Sequence, residues 1–225
     1  MKLYLSRLTL NVAAPAQALM PLLNPSDPAM AADAHHRLIW SVFSDSRARK
    51  RDFLWRYDGK GRFMTLSARP PIENGLFLRP EFKAFEPQLQ IGDRLHYILR
   101  ANATRTRRID QGKSRRVDVV MDLLHQVPSG IGRAEARQRL AADAAAAWMK
   151  GQGKKKGYRP LSTISESYFT LEMGRKRREG ATFGILDLRG EIEITDPTEF
   201  LTALAQGFGR AKAWGCGLML IRRAR

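Results

Sequence analysis

Four histidines, His35, His36, His96 and His125, are the side chains of this sequence best suited to moving protons near neutral pH. Most other chemistries lack their residues. No Cys/His spacing suits zinc, no Gly-x4-Gly-Lys-Ser/Thr phosphate loop occurs, and no dinucleotide fingerprint follows the first predicted strand. Acidic residues are scattered, which speaks against a two-metal site, so no metal and no cofactor is expected. A histidine can act alone when the substrate brings its own nucleophile. RNA does: its 2′-hydroxyl attacks the adjacent phosphorus once a base takes its proton, and an acid protonates the departing 5′-oxygen. His35 and His36 fall on a predicted helix, about 100° apart, so they cannot both face one substrate. A lone surface histidine is more often inert, and spacing alone does not make either one catalytic.

The charge points to the same substrate class. Lys and Arg number 39 against 22 Asp and Glu, a formal net charge of +17. Such an excess repels itself in the folded state and calls for a polyanion, nucleic acid first and an anionic membrane surface second. Three clusters carry it. Arg100, Arg105, Arg107, Arg108, Lys113, Arg115 and Arg116 stand against one acid, Asp110, in a stretch read as a loop that can wrap a phosphate backbone. Lys154, Lys155 and Lys156 lie between glycines in a cluster, 150–159, that ends at Arg159 and contains no acid. Arg175, Lys176, Arg177 and Arg178, bracketed by Gly174 and Gly180, sit at the tip of a predicted hairpin narrow enough to probe the deep groove of A-form RNA. Any one run can be a solvated face; three together argue for a phosphate-binding surface. A glycine-rich loop, 207–217, has two readings. Gly207 caps a helix and later glycines serve turns, or Gly207, Gly209 and Lys212 bring backbone N–H groups and a cation to phosphates. Gly61-Arg62-Phe63-Met64 is too short a fragment to count as an RNA-stacking motif, and no helix-turn-helix pattern favours DNA.

These residues need elements to hold them. Apolar alternation predicts a strand over 3–12, and Ser26-Asp27-Pro28 starts a helix carrying Leu38, Ile39, Val42 and Phe43, ending near Asp45. Strands 52–57 and 62–68 flank Asp58-Gly59-Lys60-Gly61, a hairpin signal. Residues 70–90 show no clear pattern. A second cycle has a strand at 95–101, a helix at 132–150, strands at 165–173 and 182–194, a helix from Asp196-Pro197 to 206, and a last strand at 218–222. Each half thus reads strand, helix, strand, strand, helix, strand, although nothing in the first half clearly marks its second helix. The expected fold class is α+β: two tandem ferredoxin-like (RRM-like) domains with antiparallel sheets, spanning 1–92 and 93–225. One cysteine, Cys216, no signal-peptide pattern and no run of 18 apolar residues predict a soluble cytoplasmic protein that does not enter a membrane.

Four stretches, in order, resemble the CasE family, the CRISPR-associated endoribonucleases of type I-E systems. They are the opening MKLYLSRLTL; His36-Arg37-Leu38-Ile39-Trp40-Ser41-Val42-Phe43, similar to the helix with the family's active-site histidine; Tyr97-Ile98-Leu99-Arg100-Ala101-Asn102; and Gly207 to Leu218, of the form Gly-x-Gly-x-x-Lys-x-x-Gly-x-Gly-Leu. The resemblance implies tandem ferredoxin-like domains and cleavage of precursor CRISPR RNA at the base of each repeat hairpin. The implied product ends are a 2′,3′-cyclic phosphate or 3′-phosphate and a 5′-hydroxyl. The enzyme would stay on its product as a subunit of the Cascade surveillance complex, beside the backbone subunit at the 3′ end of the CRISPR RNA. His36 maps onto the catalytic histidine and 175–178 onto the groove-inserting hairpin. One position departs from the pattern: Asp33 stands where the family usually has Tyr. Asp33 either raises the proton affinity of His36 or pairs with Arg37 at i+4, so both are candidates for catalytic support. The alternative is the same fold as a non-catalytic RNA-hairpin-binding or structural subunit.

Overall fold

The structure, a computed structural model, describes residues 2–13, 17–46, 48–108, 113–128, 132–172 and 182–224. The run Arg175, Lys176, Arg177, Arg178 lies outside the described residues.

In the first half, Tyr4–Thr9 (β1) is followed by a short helix Met20–Leu23 (α1), a longer helix Pro28–Ser41 (α2), and the strands Phe53–Tyr57 (β2), Arg62–Ser67 (β3) and Glu81–Ala84 (β4). The Asp27 carboxylate caps α2 by accepting from the Met30 N–H, and Pro28 at the first position loses no hydrogen bond there. All pairings are antiparallel, in the order β2-β3-β1-β4. His35, Leu38, Ile39 and Val42 recur at helical spacing on the face of α2 that meets Leu8, Phe53, Trp55 and Phe63. Where the family plan calls for a second helix, the described residues between β3 and β4 form none.

The second half contains Arg94–Ala101 (β5), Thr104–Arg108 (β6), Ser114–Asp118 (β7), Val119–Leu124 (α3), Arg133–Gly153 (α4), Tyr158–Glu172 (β8), Thr182–Ile194 (β9), Pro197–Gln206 (α5), a 3-10 turn Lys212–Trp214, and Met219–Arg223 (β10). Its main sheet runs β10-β5-β9-β8, again antiparallel, with β6 and β7 forming a separate ribbon. Both main sheets share one ferredoxin-like order, last-first-third-second. Leu54 and Leu66 of the first sheet pack with Leu218, and Ala29 and Ala32 of α2 pack against Leu171, Ile185 and Cys216, so the two halves share apolar interfaces.

Two expectations need correction, and one helix was not foreseen. The described residues of 100–116 are mostly strand rather than loop: they hold the end of β5 and the β6–β7 ribbon. Its arginines and threonines lie on an exposed two-stranded ribbon, so no apolar alternation announced the strands. β8 begins at Tyr158 rather than 165, placing Arg159 on a strand; Pro160 is tolerated because β8 is a sheet edge with register irregularities at 160–162 and 165–167. The helix α3 follows directly from Asp118, whose side chain accepts from the N–H groups of Val120 and Met121.

Candidate histidine site and nucleic-acid interface

The helix α2 carries His35 into the core on one face and His36 on another. Ala29, Ala32 and His36 form a second stripe, turned toward the glycine-rich loop of the other half. There the His36 Nδ1–H donates to the carbonyl oxygen of Ala213 at 2.9 Å. The ring sits 5.2 Å from Trp214, tilted, and 6.3 Å from Trp40, edge-on. A carbonyl can only accept, so this bond assigns the proton of the neutral ring to Nδ1 and leaves the lone pair on Nε2. Partial burial lowers the His36 pKa; the Ala213 carbonyl works the other way, Arg51 lowers it further and Asp33 raises it. The ring is thus neutral and basic at Nε2 near pH 7. His35 is a different object: 4% exposed, donating through Nε2 to Asn24 Oδ1 and packed on Tyr57 and Phe63, with burial pushing its pKa down to about 4.

The loop that holds this ring also borders a gathering of cations. A cleft of about 740 Å³ is lined by Arg105 and Arg116 of the ribbon, Lys155 and Lys156 after α4, and Gly207, Gly209, Arg210 and Lys212 of the glycine-rich loop. Its floor includes Trp148 and Ala144 of α4. Three sequence features separated by about a hundred residues of chain therefore share one surface, and Lys212 is adjacent to the carbonyl that holds His36. Burial lowers the Lys212 pKa, with Arg51 and Arg210 adding to it. Further along the ribbon Arg107, Arg108 and Arg115 line a second basic hollow. Lys113 and Lys154 are exposed.

The ribbon is braced from below. Asp122 of α3, 2% exposed, accepts from both Arg105 and Arg107, two residues of β6 on the same side. The glycine-rich loop is braced too. The Gly207 N–H donates to Ala203 O, capping α5; Phe208 N–H donates to Gly217 O, Gly217 N–H to Arg100 O and Arg210 N–H to Asn102 O. At Gly209, φ is +69° and an added Cβ would lie 2.6 Å from Asn102 O. Capping and close packing thus account for the loop's glycines.

Other predicted residues are engaged elsewhere. Arg100 makes two 2.8 Å bonds to Asp187, is half-buried, and is not brought to the cleft. Arg159 pairs with Glu193 at 2.8 Å. Asp33 and Arg37 form an exposed i, i+4 pair beside His36. Sequence reasoning missed Arg51, the end of the basic stretch 47–51; Arg210 and Asp122, single residues outside any run; and Ala213, which acts through its backbone. His96 lies on β5 and His125 caps α3. Among the described residues no group of three His, Cys, Asp or Glu side chains is placed to hold a metal ion.

Residues 3–223 match the family described as CRISPR associated protein. The chain belongs to that family. The CasE resemblance seen in the sequence is borne out: the chain is 25% identical over 193 residues to the CRISPR system Cascade subunit CasE of Escherichia coli strain K12, covering 82% of this chain and 88% of that one. Similar solved structures include Thermus thermophilus Cse3 bound to an RNA representing a pre-cleavage complex, 23% identical, TM-score 0.66, covering 99% of this chain and all of that one. Another is the CRISPR-associated protein Cas6e from Escherichia coli K-12, 20% identical, TM-score 0.61, covering 97% and 98%. At these identities the structures of other CRISPR-associated proteins speak to the fold, and they agree with the tandem ferredoxin-like order of the two sheets.

Proposed function

We propose that this chain is a metal-independent endoribonuclease that binds CRISPR repeat hairpins, cleaves precursor CRISPR RNA at the stem base, and remains on the product as a Cascade subunit. Family membership and the curated relative's name, Cascade subunit CasE, support the biological setting. The observation that carries the chemistry is the His36 ring, fixed at Nδ1 and basic at Nε2, near Arg51 and held by the carbonyl of Ala213, the residue after Lys212 of the basic cleft. In this reading the 1–92 half supplies the histidine and the 93–225 half supplies the phosphate-binding cations.

His36 Nε2 takes the 2′-hydroxyl proton as the 2′-oxygen bonds to phosphorus, and the bond from phosphorus to the 5′-oxygen breaks. The imidazolium returns that proton to the leaving oxygen, giving a 2′,3′-cyclic phosphate and a 5′-hydroxyl. Arg51 and Lys212 offset the charge that develops on the phosphorane oxygens. Arg105, Arg107, Arg108, Arg115, Arg116, Lys113, Lys154 and Lys155 hold the stem phosphates, and the slim β6–β7 ribbon suits a groove. The bound RNA 3′ end presents the protein to the neighbouring backbone subunit, and the setting is the cytoplasm. No helix among the described residues is long and apolar enough to cross a membrane.

Cleavage of a repeat hairpin in EDTA, with and without one 2′-deoxy at the scissile position, tests this reading. Cutting in EDTA that the single deoxy abolishes supports it. Tight binding with no product would reduce the protein to an RNA-binding or scaffolding subunit.

A further inference from the structure

The lysine run 154–156 does not act as one unit. Lys154 and Lys155 are exposed, while Lys156 turns inward and is half-buried. Its Nζ donates to Gly207 O at 3.3 Å and stands 4.4 Å from the centroid of the Phe208 ring, itself fully buried. The turn that aims it is tightly seated: at Gly157, φ is +67° and an added Cβ would lie 2.2 Å from Asp196 O, and at Gly153 one would lie 2.3 Å from Tyr158 O. Gly207 and Phe208 begin the loop whose Ala213 carbonyl holds His36, and Phe208 N–H closes that loop onto Gly217. Among the described residues Lys156 is the side chain from outside the loop seen donating to a carbonyl at its entry.

We propose that Lys156 is a positioning residue: it clamps the start of the glycine-rich loop so that the Ala213 carbonyl stays on His36 Nδ1, and its cation is committed to Gly207 O and Phe208 rather than to an RNA phosphate. This rests on His36 being the proton-transfer group. It departs from the sequence reading, which counted Lys156 with the phosphate contacts. The physical cost of binding a phosphate there is clear, since the ammonium would have to leave a carbonyl and a ring face already satisfying it. Burial, with Lys212 nearby, also pushes its pKa down to about 8, as befits an ammonium with little water around it.

The test compares Lys156→Met and Lys156→Arg with wild type in three readouts: hairpin affinity against salt, single-turnover cleavage at saturating protein, and the NMR signals of the His36 ring in RNA-free protein. The expected Met variant keeps the wild-type slope of log affinity against log salt, while its saturated cleavage rate falls about 10- to 100-fold, the scale of a slightly misplaced catalytic group. Its His36 Nδ1 proton signal shifts or broadens, and Arg, which restores a donor and a cation over Phe208, recovers most of the rate. A slope reduced by about 0.7–0.9 at an unchanged saturated rate would make Lys156 a phosphate contact and overturn the proposal. An unchanged His36 signal in a folded Met variant overturns it as well. If Met fails to fold, Lys156→Gln, which keeps a donor without the charge, is read by the same criteria. The ring signals need no RNA, so a wild type that never cuts would sink the nuclease reading while leaving the clamp measurable.

Discussion

His36 Nδ1 and the carbonyl oxygen of Ala213 meet at 2.9 Å across 177 residues of chain, joining the helix of one ferredoxin-like half to the glycine-rich loop of the other. That bond fixes the ring's tautomer and its rotation together, and Trp40 and Trp214 limit its remaining freedom. Proton transfer by one residue depends on such fixing, because ring rotation away from the 2′-hydroxyl is lost rate. The site exists only where the two halves pack, so disturbing the packing should act on catalysis before it acts on either fold.

Gly209 offers that disturbance. A Cβ there would lie 2.6 Å from Asn102 O, at a φ of +69° that L side chains rarely adopt. Gly209→Ala should cost about 1–3 kcal/mol of stability and lower cleavage more than hairpin affinity. Thermal unfolding and single-turnover rates on the same preparation check it.

Arg100 separates structural cations from phosphate-binding ones. Its guanidinium is held by Asp187, which also accepts from Ser167 at 3.0 Å. Arg100→Ala should destabilise by about 2–3 kcal/mol, less than a fully buried pair because both partners keep some solvent contact. The salt dependence of RNA binding should stay as in wild type. Arg116→Ala, at the cleft, should instead lower that salt slope by about 0.7–0.9.

Asp33 should matter little. Its pair with Arg37 is exposed, so Asp33→Ala should cost no more than about 0.5 kcal/mol in a melting experiment. Because its charge raises the His36 pKa, removing it should move the acid limb of the cleavage profile to lower pH.

Acid should act on the fold through His35. Its pKa is about 4 in the folded protein and about 6.5 when unfolded. The unfolded chain therefore binds a proton first, and stability present above pH 6.5 is lost as pH falls toward 4, by at most about 3 kcal/mol. Denaturant midpoints across that range should fall for wild type and fall less for His35→Leu.

Much of this was legible in the sequence. The cap Asp27-Pro28, the apolar spacing on α2 and the glycine-rich stretch placed His36 and the loop correctly, because each reflects a local rule. The β6–β7 ribbon was not legible: Thr-Arg-Thr-Arg-Arg and Ser-Arg-Arg-Val-Asp have no buried face, so pairing and the Asp122 brace, not burial, make them strands. The exposed edge strand Glu81–Ala84 was missed for the same reason. Arg51 and Ala213 reach the site only through tertiary packing, and no local pattern marks a residue that contributes its carbonyl. The lysine run looked uniform because charge is visible in sequence, while the inward turn of Lys156 depends on what packs around Gly153 and Gly157.

The central claim, that His36 transfers the proton, is met most directly by His36→Ala, with hairpin cleavage measured at saturating protein in EDTA and hairpin affinity measured alongside. The account predicts a rate at least about 100- to 10,000-fold below wild type with affinity essentially retained. A rate within about threefold of wild type would contradict it and send the search for the acid–base group elsewhere along the cleft.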